Sequence, residues 1–417
     1  MASLESWMRT RMSYRLRGST RSRIAETIAK KAQGYQDATL IALDPPLLNI
    51  PADLALDSTL IPQQSLNSDQ IVITETDSVE LVLWLATGDV TAVEVTENLP
   101  PPLVNCVTEL LLTTALERAA FLDGYLKTNG RPIGPLHGLP ISVKEHIGMK
   151  GLSLNAAFIS WHNRVTDANS HILDILDILL EAGAVLYVQT TQPQTLMHLE
   201  TSSDFYGTTV NAINRNLTSG GSSGGEGAFI GMRGSCFGIG TDIGGSIRPP
   251  AANNRVYGLR PTSSQIRVVD WVPYKHDEAW SIISNLYFCN GRSEKAAAIE
   301  TSGEPWRPLT RFVLKGDPNV KKLSIREVWD WTLKREEYRV EYLKLWGDVD
   351  VILCPVGLDV APPLDYARYW GYTAQWNLLE HLALVAPVTK VDPLLDVKDE
   401  SHKPRNGRDW YNYELDK

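Results

Sequence analysis

Three short stretches of this sequence combine residue types that can turn a serine hydroxyl into a nucleophile. They are "GPLHGLPISVKEHIG" (134–148), "SGGSSGGEG" (219–227) and "TDIGGS" (241–246). In the last stretch, glycine flexibility leaves successive backbone N–H groups free beside Ser246, and N–H groups directed into one concavity can bind an oxyanion. A serine nucleophile also needs a base, for which the first stretch offers Lys144, His137 and His146.

The glycine-serine stretch has two other interpretations, a flexible linker and a phosphate-binding loop. A linker should continue into further low-complexity sequence, whereas apolar, glycine-punctuated chain follows, with a strand-like "CFGIGT" between the two glycine-serine loops. A Walker loop needs a lysine after its glycines, and "GIGTDIG" (238–244) misses the dinucleotide-binding spacing by one residue. Glycines that flank a strand instead favour close backbone approach near a ligand.

Lys144 is the favoured base on physical grounds. It ends an apolar run, and burial disfavours the charged ammonium, which lowers the pKa from its usual value of ~10.4. We interpret His137 and His146 as structural, because no motif supplies an acidic partner, and Cys236 as core packing. A neutral amine can accept a proton from a serine and return it to the leaving amine. Amides need that step because an amine anion is a very poor leaving group.

In their order and spacing, these stretches resemble the amidase signature family, most closely its fungal acetamidase-like branch. The likeness is carried by "GPLHGLPISVKE", "GGSSGGEGA" and "GIGTDIGGSIRPPAA…YGLRPT" over residues 134–262, and "EAGAVLYVQTTQPQTLM" and "LVAPVTKVDP" extend it along the chain. The resemblance implies an α/β fold, with a central mixed, twisted sheet flanked by helices. It also implies hydrolysis of amide bonds without a cofactor or a metal.

The same resemblance implies roles for particular residues. Lys144 is then the base, Ser222 a bridging serine held by a cis peptide bond, and Ser246 the nucleophile. The oxyanion hole and substrate site would be formed by the backbone N–H groups of Ile243, Gly244, Gly245 and Ser246, together with Ser222 and Leu196. Asp242 and Arg248 would brace residues 241–247, which we name the Ser246 loop.

The chain departs from the family pattern at three places, where it looks short. "NLPPP" (98–102) interrupts the second helix, "SSQIR" (263–267) runs directly into "VVDWVPYKHDEAW" (268–280), and "WYNYELDK" precedes the family's final strand and helix. We therefore expect an internally shortened and C-terminally truncated chain with an incomplete sheet. A natural variant, a degenerate copy and a wrongly spliced gene model all fit these gaps.

The composition limits the classes of partner. The 417-residue chain has 43% hydrophobic and 21% charged residues, as in ordinary globular proteins, and its net charge of −9 disfavours nucleic acid as the partner. No apolar run reaches the ~18 residues of a membrane span. Four scattered cysteines without a C-x-x-C pair predict free thiols and a reducing compartment. We therefore expect a cytoplasmic protein that acts on a small-molecule amide, with a homodimer left open.

Alternating helix and strand patterns predict the α/β domain that must position these residues. A helix is expected after Asp77 or Ser78, with Leu81 and Leu85 on one face and Gly88 at its end. The other expected elements are a strand and helix in "CVTELLLTTALERAAFLDGYL", helices in "HILDILDILLEAG" and "IREVWDWTLKREEYRVEYLKLWGD", and strands in "AVLYVQT" and "VDVILCPV".

We divide the chain into an N-terminal extension and one amidase-like domain. The extension, residues 1–75, begins with a basic stretch that we interpret as a solvated helix, with an organelle transit peptide as the alternative. Proline-punctuated chain over residues 35–75 then wraps the surface in extended form. The domain, residues 76–417, has its motif core at 134–262 and a shortened part at 263–417.

We expect a serine amidohydrolase that cleaves a small neutral carboxamide through an acyl-enzyme, giving a carboxylate and ammonia or an amine. Two alternatives stay open. One is transfer of ammonia to a partner enzyme, which the sequence around Leu196 and "VTKVDP" disfavours. The other is a catalytically impaired remnant or binding scaffold, which the missing segments favour and the complete set of motifs disfavours.

Overall fold

The computed structural model describes most of the chain. The described residues are 20–41, 55–98, 104–167, 175–260, 274–346, 352, 354–357, 361–387, 402–404, 410–411 and 413–414. The predictions made for the basic residues 1–19, the prolines at 100–102, the junction at 267–268 and half of "VDVILCPV" lie outside them.

Strands and helices alternate in the central part of the described chain, as the sequence predicted, whereas the elements before β1 and between β7 and β8 are helices. The strands are β1 (Val107–Leu110), β2 (Pro140–Lys144), β3 (Val185–Thr190), β4 (Ser202–Ser203), β5 (Gly207–Thr208), β6 (Gly238–Ile239), β7 (Gly258–Arg260) and β8 (Ala383–Val385). The α-helices are α1 (Thr20–Ile41), α2 (Ile61–Ser65), α3 (Ser68–Glu75), α4 (Ser78–Thr87), α5 (Ala92–Glu97), α6 (Leu112–Asn129), α7 (Ile175–Glu181), α8 (Gly224–Gly231), α9 (Arg248–Asn253), α10 (His276–Tyr287), α11 (Ser293–Ser302), α12 (Pro308–Arg311), α13 (Ile325–Trp346) and α14 (Gly371–Leu378).

A mixed sheet in the order β1-β3-β2-β6 lies at the centre of the described fold. Strand β3 is antiparallel to β1 and parallel to β2, and β2 is parallel to β6. Strands β2 and β3 are buried along their whole length, which is typical of short apolar strands covered on both faces. The predicted α/β fold with a mixed sheet is therefore confirmed.

Local signals explain several of these elements. Asp77 caps α4 by accepting two N–H groups of its first turn, and Gly88, with a φ of +79°, ends the helix. Leu81 and Leu85 are buried on one face, as predicted. The strand-to-helix step from β1 to α6, strand β3 and helix α13 also lie where the sequence placed them.

The extended chain expected over residues 35–75 is wrong for the part of it that the structure describes. Helix α1 continues to Ile41, and α2 and α3 occupy much of residues 61–75. Pro62 lies in the first turn of α2, where a missing N–H is tolerated, and Asn67 with Gln70 forms a capping box that begins α3. Helix α1 also packs against β1, with Ala25 and Ala29 buried, so the described part of the basic N-terminal stretch is not simply the solvated helix that was predicted. The rest of that predicted helix, residues 1–19, lies outside the described residues.

Two apolar cores flank the Ser246 loop. The larger core surrounds the sheet and includes Ile141, Val143 and Val188, each fully buried. The second core joins α10, α13 and α14 and includes Tyr342 and Trp370. The loop follows β6 at the edge of the sheet, and its Gly244 carbonyl accepts a hydrogen bond from Thr373 of α14, so the loop lies between the sheet and the second core.

The cysteines are free in the structure, which confirms the predicted thiols. Within the described ranges, no helix is long and apolar enough to cross a membrane. The same residues contain no group of histidine, cysteine, aspartate and glutamate side chains that could hold a metal ion.

Candidate active site

Lys144 is fully buried at the end of β2. Its Nζ lies 2.6 Å from Ser222 Oγ, 2.9 Å from Ser223 Oγ and 3.2 Å from Thr241 Oγ1. Burial lowers the pKa of Lys144 to about 7, although two nearby carboxylates act in the opposite direction. A large fraction of the amine is therefore neutral near pH 7, with a lone pair that can accept a hydroxyl proton.

The glycine-serine stretch is part of the folded core, which excludes the linker interpretation. Every residue from 219 to 227 is buried. The peptide bond between Gly221 and Ser222 is cis, at the position that the family resemblance implied. Helix α8 begins at Gly224, immediately after two serines, and both of their hydroxyls therefore meet the Lys144 amine at the start of this helix.

Ser246 contacts the second of these serines, Ser223, through its backbone. It is 7% exposed, and its carbonyl oxygen accepts the Ser223 N–H at 3.0 Å. Its hydroxyl makes no hydrogen bond within the described part of the chain, so the structure joins Lys144 to Ser222 but does not join Ser222 to Ser246. Catalytic hydrogen bonds are often long in the absence of substrate and tighten when it binds.

A buried ion pair holds the Ser246 loop. Arg248 Nε and Nη2 each donate to the Asp242 carboxylate at 2.9 Å, and the two side chains are 3% and 0% exposed. The carboxylate also accepts the N–H groups of Gly245 at 2.7 Å and Ile247 at 3.1 Å. Burial alone would raise the pKa of Asp242, but Arg248 and these N–H groups outweigh it and hold the pKa at about 2. The pair therefore fixes the backbone on both sides of Ser246.

The loop differs from the expected oxyanion hole at Gly245. The Gly245 N–H donates to Asp242 and so already has an acceptor. The N–H groups of Ile243, Gly244 and Ser246 have no acceptor among the described residues, and these three remain candidates to bind an oxyanion. The sequence could not distinguish Gly245 from these three residues, because a sequence does not show where each backbone N–H group points.

Side chains of the second core anchor the far side of the Ser246 loop. Thr373 Oγ1 donates to the Gly244 carbonyl at 2.8 Å, and the Tyr287 hydroxyl donates to the Ile243 carbonyl. Gly245 has a φ of +124°, and a Cβ there would lie 2.5 Å from Thr373 Oγ1. Glycine is therefore required at this position both by the backbone conformation and by the contact with α14.

Leu196 ends a short 3₁₀ turn, Gln194–Leu196, with a φ of +60°. Its side chain packs in a small apolar cluster with Phe158 and Trp306. The Gln194 side chain holds the turn, because its amide donates to Glu304 Oε2 at 2.9 Å. The role of Leu196 in the wall of an acyl site stays a prediction.

Several residues around Lys144 were missed or undervalued from the sequence. Ser223 and Thr241 contact the amine directly, and Thr241 Oγ1 also lies 3.2 Å from His146 Nε2. Burial lowers the pKa of His146 well below its usual value, and the nearby Lys144 charge adds to this. His137 instead accepts a backbone N–H through Nδ1 at 3.2 Å, which is the structural role predicted for it. The sequence signal that could have found Ser223, Thr241 and His146 is that each of them lies inside one of the three stretches quoted at the start.

Comparison with known proteins gives relatives along most of the chain. The family model described as Amidase matches residues 99–267. A putative amidase of Schizosaccharomyces pombe is 37% identical over 88% of this chain and 88% of its own length. An acetamidase of Emericella nidulans is 33% identical over 85% of each chain.

Both alignments are longer than this chain. They run over 473 and 474 positions, against the 417 residues present here. These relatives therefore contain internal segments that this chain lacks, and the predicted internal shortening is confirmed.

Solved structures share the fold. A fatty acid amide hydrolase superposes with a TM-score of 0.86 and 24% identity, covering 99% of this chain and 92% of its own. A crystal structure of an amidase gives a TM-score of 0.61 and 22% identity, covering 76% of this chain and 93% of its own. At these identities the likeness concerns the fold alone.

Proposed function

This chain belongs to the amidase signature family, and from that premise we propose that it hydrolyses a small neutral carboxamide to a carboxylate and ammonia or an amine. The observation that carries the proposal is the buried Lys144 amine, 2.6 Å from the Ser222 hydroxyl and directly beside the Ser246 loop. A neutral amine in that position has the basicity and the contact that a Ser-Ser-Lys relay needs.

The proposed reaction uses these residues in the following way. The Ser246 oxygen attacks the amide carbon, its proton passes to Ser222, and the Ser222 proton passes to Lys144. The N–H groups of Ile243, Gly244 and Ser246 stabilise the negative oxygen that forms. The C–N bond then breaks as the proton returns from Lys144 through Ser222 to the leaving nitrogen. A water molecule, deprotonated by the same relay, hydrolyses the acyl-enzyme.

Two features support a small substrate in the cytoplasm. Relatives of this chain carry the name acetamidase, at 33% and 31% identity, and acetamide is a small neutral amide. The free cysteines fit a reducing compartment. Leu196, beside Phe158 and Trp306, is the residue that we propose for the apolar side of the acyl site.

A catalytically impaired amidase is the second candidate. Two observations favour it: the relatives contain internal segments that this chain lacks, and no hydrogen bond joins the Ser222 and Ser246 hydroxyls within the described residues. In that case Lys144 and Ser222 keep their contact, but the relay does not reach the nucleophile.

Release of ammonia from simple amides separates the two candidates. Purified protein is incubated with acetamide, propionamide and benzamide, beside the Ser246→Ala variant as a matched blank. The proposal expects ammonia release that depends on Ser246 and is fastest with the small aliphatic amides. Folded protein that releases no more ammonia than the blank with any of the three amides would favour the impaired enzyme.

A further inference from the structure

A second buried ionisable group lies beside Lys144 and has no part in the reaction described above. Glu226 is carried by α8, and its side chain is almost completely buried. Its Oε2 accepts the Ser142 hydroxyl at 2.6 Å, and its Oε1 accepts the Thr190 hydroxyl at 2.7 Å.

These two hydroxyls place the carboxylate next to Lys144. Ser142 precedes Lys144 by two positions on β2, so their side chains share one face of the sheet. Thr190 is the residue of β3 that pairs with Lys144, and neighbouring strands are about 4.8 Å apart. The Glu226 carboxylate therefore accepts hydrogen bonds from the two residues that neighbour Lys144 on the same face of the sheet, Ser142 on β2 and Thr190 on β3.

Gly238 of strand β6 lies directly against the Glu226 carboxylate. A Cβ at Gly238 would lie 2.0 Å from Glu226 Oε2 and 2.6 Å from Ser142 Oγ. Only glycine lets the backbone pass this close to the carboxylate. Because the surroundings are buried, a negative charge at Glu226 acts on Lys144 with little solvent screening.

We propose that Glu226 is a positioning residue of the amidase reaction, whose buried carboxylate is a countercharge that, beside Asp242, controls how strongly Lys144 holds its proton. The proposal rests on the proposed function, in which Lys144 alternates between base and acid. Such a group works best when both of its protonation states are populated at the working pH. Burial favours the neutral amine, and the Glu226 carboxylate favours the ammonium.

Several other titratable groups face Lys144 or Glu226, and their charge states bear on the proposal. Around Lys144, the Asp242 carboxylate raises the pKa of the amine more than Glu226 does, but Asp242 is also paired with Arg248 and holds the Ser246 loop. Burial lowers the pKa of His146, so that this side chain is neutral. Around Glu226, burial raises the pKa of both the Cys106 thiol and the Tyr187 phenol, so neither carries charge near neutrality. Burial raises the pKa of Glu226 to about 7, although the hydrogen bonds from Ser142 and Thr190 and the charge of Lys144 act in the opposite direction.

Glu145 offers a matched control. It follows Lys144 in the sequence and is as deeply buried as Glu226. Its carboxylate instead accepts the N–H groups of Asn155 and Ala156 and the amide of Gln192. Both glutamates can be changed to glutamine, which removes the ionisable group with almost no change in shape.

The test measures the protonation of Lys144 directly. Lysine labelled with ¹³C at Cε is incorporated, and the signal that titrates near neutral pH is assigned by its loss in Lys144→Met. In Glu226→Gln, the midpoint of this signal should fall by about 1 pH unit, since a nearby opposite charge typically shifts a pKa by about 1–3 units. In Glu145→Gln and in the charge-retaining Glu226→Asp, the midpoint should stay close to its original value.

The pH profile of kcat/KM for acetamide gives a second readout. Its acid limb should move to lower pH in Glu226→Gln together with the NMR midpoint, whereas a purely structural role would lower the rate without moving the limb. If Glu226→Gln does not fold, Thr190→Val removes one donor that stabilises the ionised carboxylate. That variant should shift the midpoint in the same direction by less.

The outcomes separate this proposal from the proposed function. An unmoved Lys144 midpoint in folded Glu226→Gln, or an equal shift in Glu145→Gln, overturns the countercharge even if the enzyme hydrolyses amides. A shifted midpoint in a protein that hydrolyses no amide supports the countercharge and removes the proposed function.

Discussion

Replacing Asp242 with asparagine should lower the free energy of unfolding by about 3 kcal/mol at pH 7. The Asp242 carboxylate accepts two hydrogen bonds from the Arg248 guanidinium, three from backbone N–H groups of residues 245, 247 and 248, and one from the Asn377 amide. Both ion-pair side chains are almost inaccessible. Asparagine keeps the size but leaves the guanidinium buried beside a neutral group. Removing one partner of a buried pair typically costs about 3–5 kcal/mol.

The pKa of Asp242 gives an independent estimate of the same quantity. It is about 2 in the folded protein, against a usual value of 3.8, and each unit corresponds to about 1.4 kcal/mol. The difference therefore stabilises the fold by about 2–3 kcal/mol at pH 7. Because the folded pKa is depressed, this stabilisation is complete above about pH 5, falls to roughly half near pH 3 and is lost as the pH passes below about 2.

Urea unfolding followed by tryptophan fluorescence measures the loss, at pH 7 and at several lower pH values at which the protein stays folded. Asp89→Asn, which changes an exposed carboxylate, is the matched control and should stay within about 0.5 kcal/mol of the original protein. A loss for Asp242→Asn no larger than that of the control, or a loss that does not shrink on acidification, would refute the reasoning.

The remaining predictions concern the relay and the missing segments. Lys144→Ala should reduce amide hydrolysis by about 10³-fold or more, and should reduce hydrolysis of p-nitrophenyl acetate by less, because an ester leaving group needs less protonation; equal losses in the two assays would contradict this. With the pKa of Lys144 at about 7, kcat/KM should fall about tenfold per pH unit below that value, and a flat profile from pH 5 to 9 would argue against a lysine base. Inserting the corresponding segment of the S. pombe relative between residues 267 and 268 should raise the Tm by about 10 °C or more, since even ~400 Å² of apolar burial contributes about 10 kcal/mol. The exposed Tyr257, Leu259 and Leu384 of the β7–β8 region form the apolar surface that motivates this insertion, and an unchanged Tm would show that the segment is dispensable.

The sequence predicted the parts of the site that short motifs encode. Lys144 at the end of a buried strand, the two glycine-serine loops and the ion pair between Asp242 and Arg248 all follow from local patterns or from the family resemblance. Helix α4 was predictable because its cap, its buried leucines and its terminal glycine are close together in the sequence.

Contacts between distant parts of the chain could not be predicted in this way. Thr373 and Tyr287 donate hydrogen bonds to carbonyl groups of the Ser246 loop from helices more than 40 positions away in the sequence. No sequence pattern near the loop predicts these contacts. Glu226 is a second example: it is the single carboxylate of the glycine-serine stretch, but its contacts could not be predicted. Its partners, Ser142 and Thr190, belong to two other strands and become neighbours only in the folded sheet.

The error over residues 35–75 has a similar cause. Prolines favour extended chain, and the sequence stretch from 45 to 62 contains several of them. The helices α2 and α3 nevertheless form around Pro62 and Asn67, because proline is tolerated in a first turn and the asparagine cap satisfies free N–H groups. The Asn67–Gln70 capping box was present in the sequence, and it is a better predictor of the structure here than the number of prolines.

The most direct test of the account is the identity of the residue that a fluorophosphonate modifies. The probe reacts with an activated serine, and peptide mapping by mass spectrometry locates the adduct. The account predicts a single adduct on Ser246 that disappears in Ser246→Ala and is strongly slowed in Lys144→Ala. An adduct on Ser222, Ser223 or Thr241, or no adduct on protein shown to be folded, would contradict the assignment of Ser246 as the nucleophile.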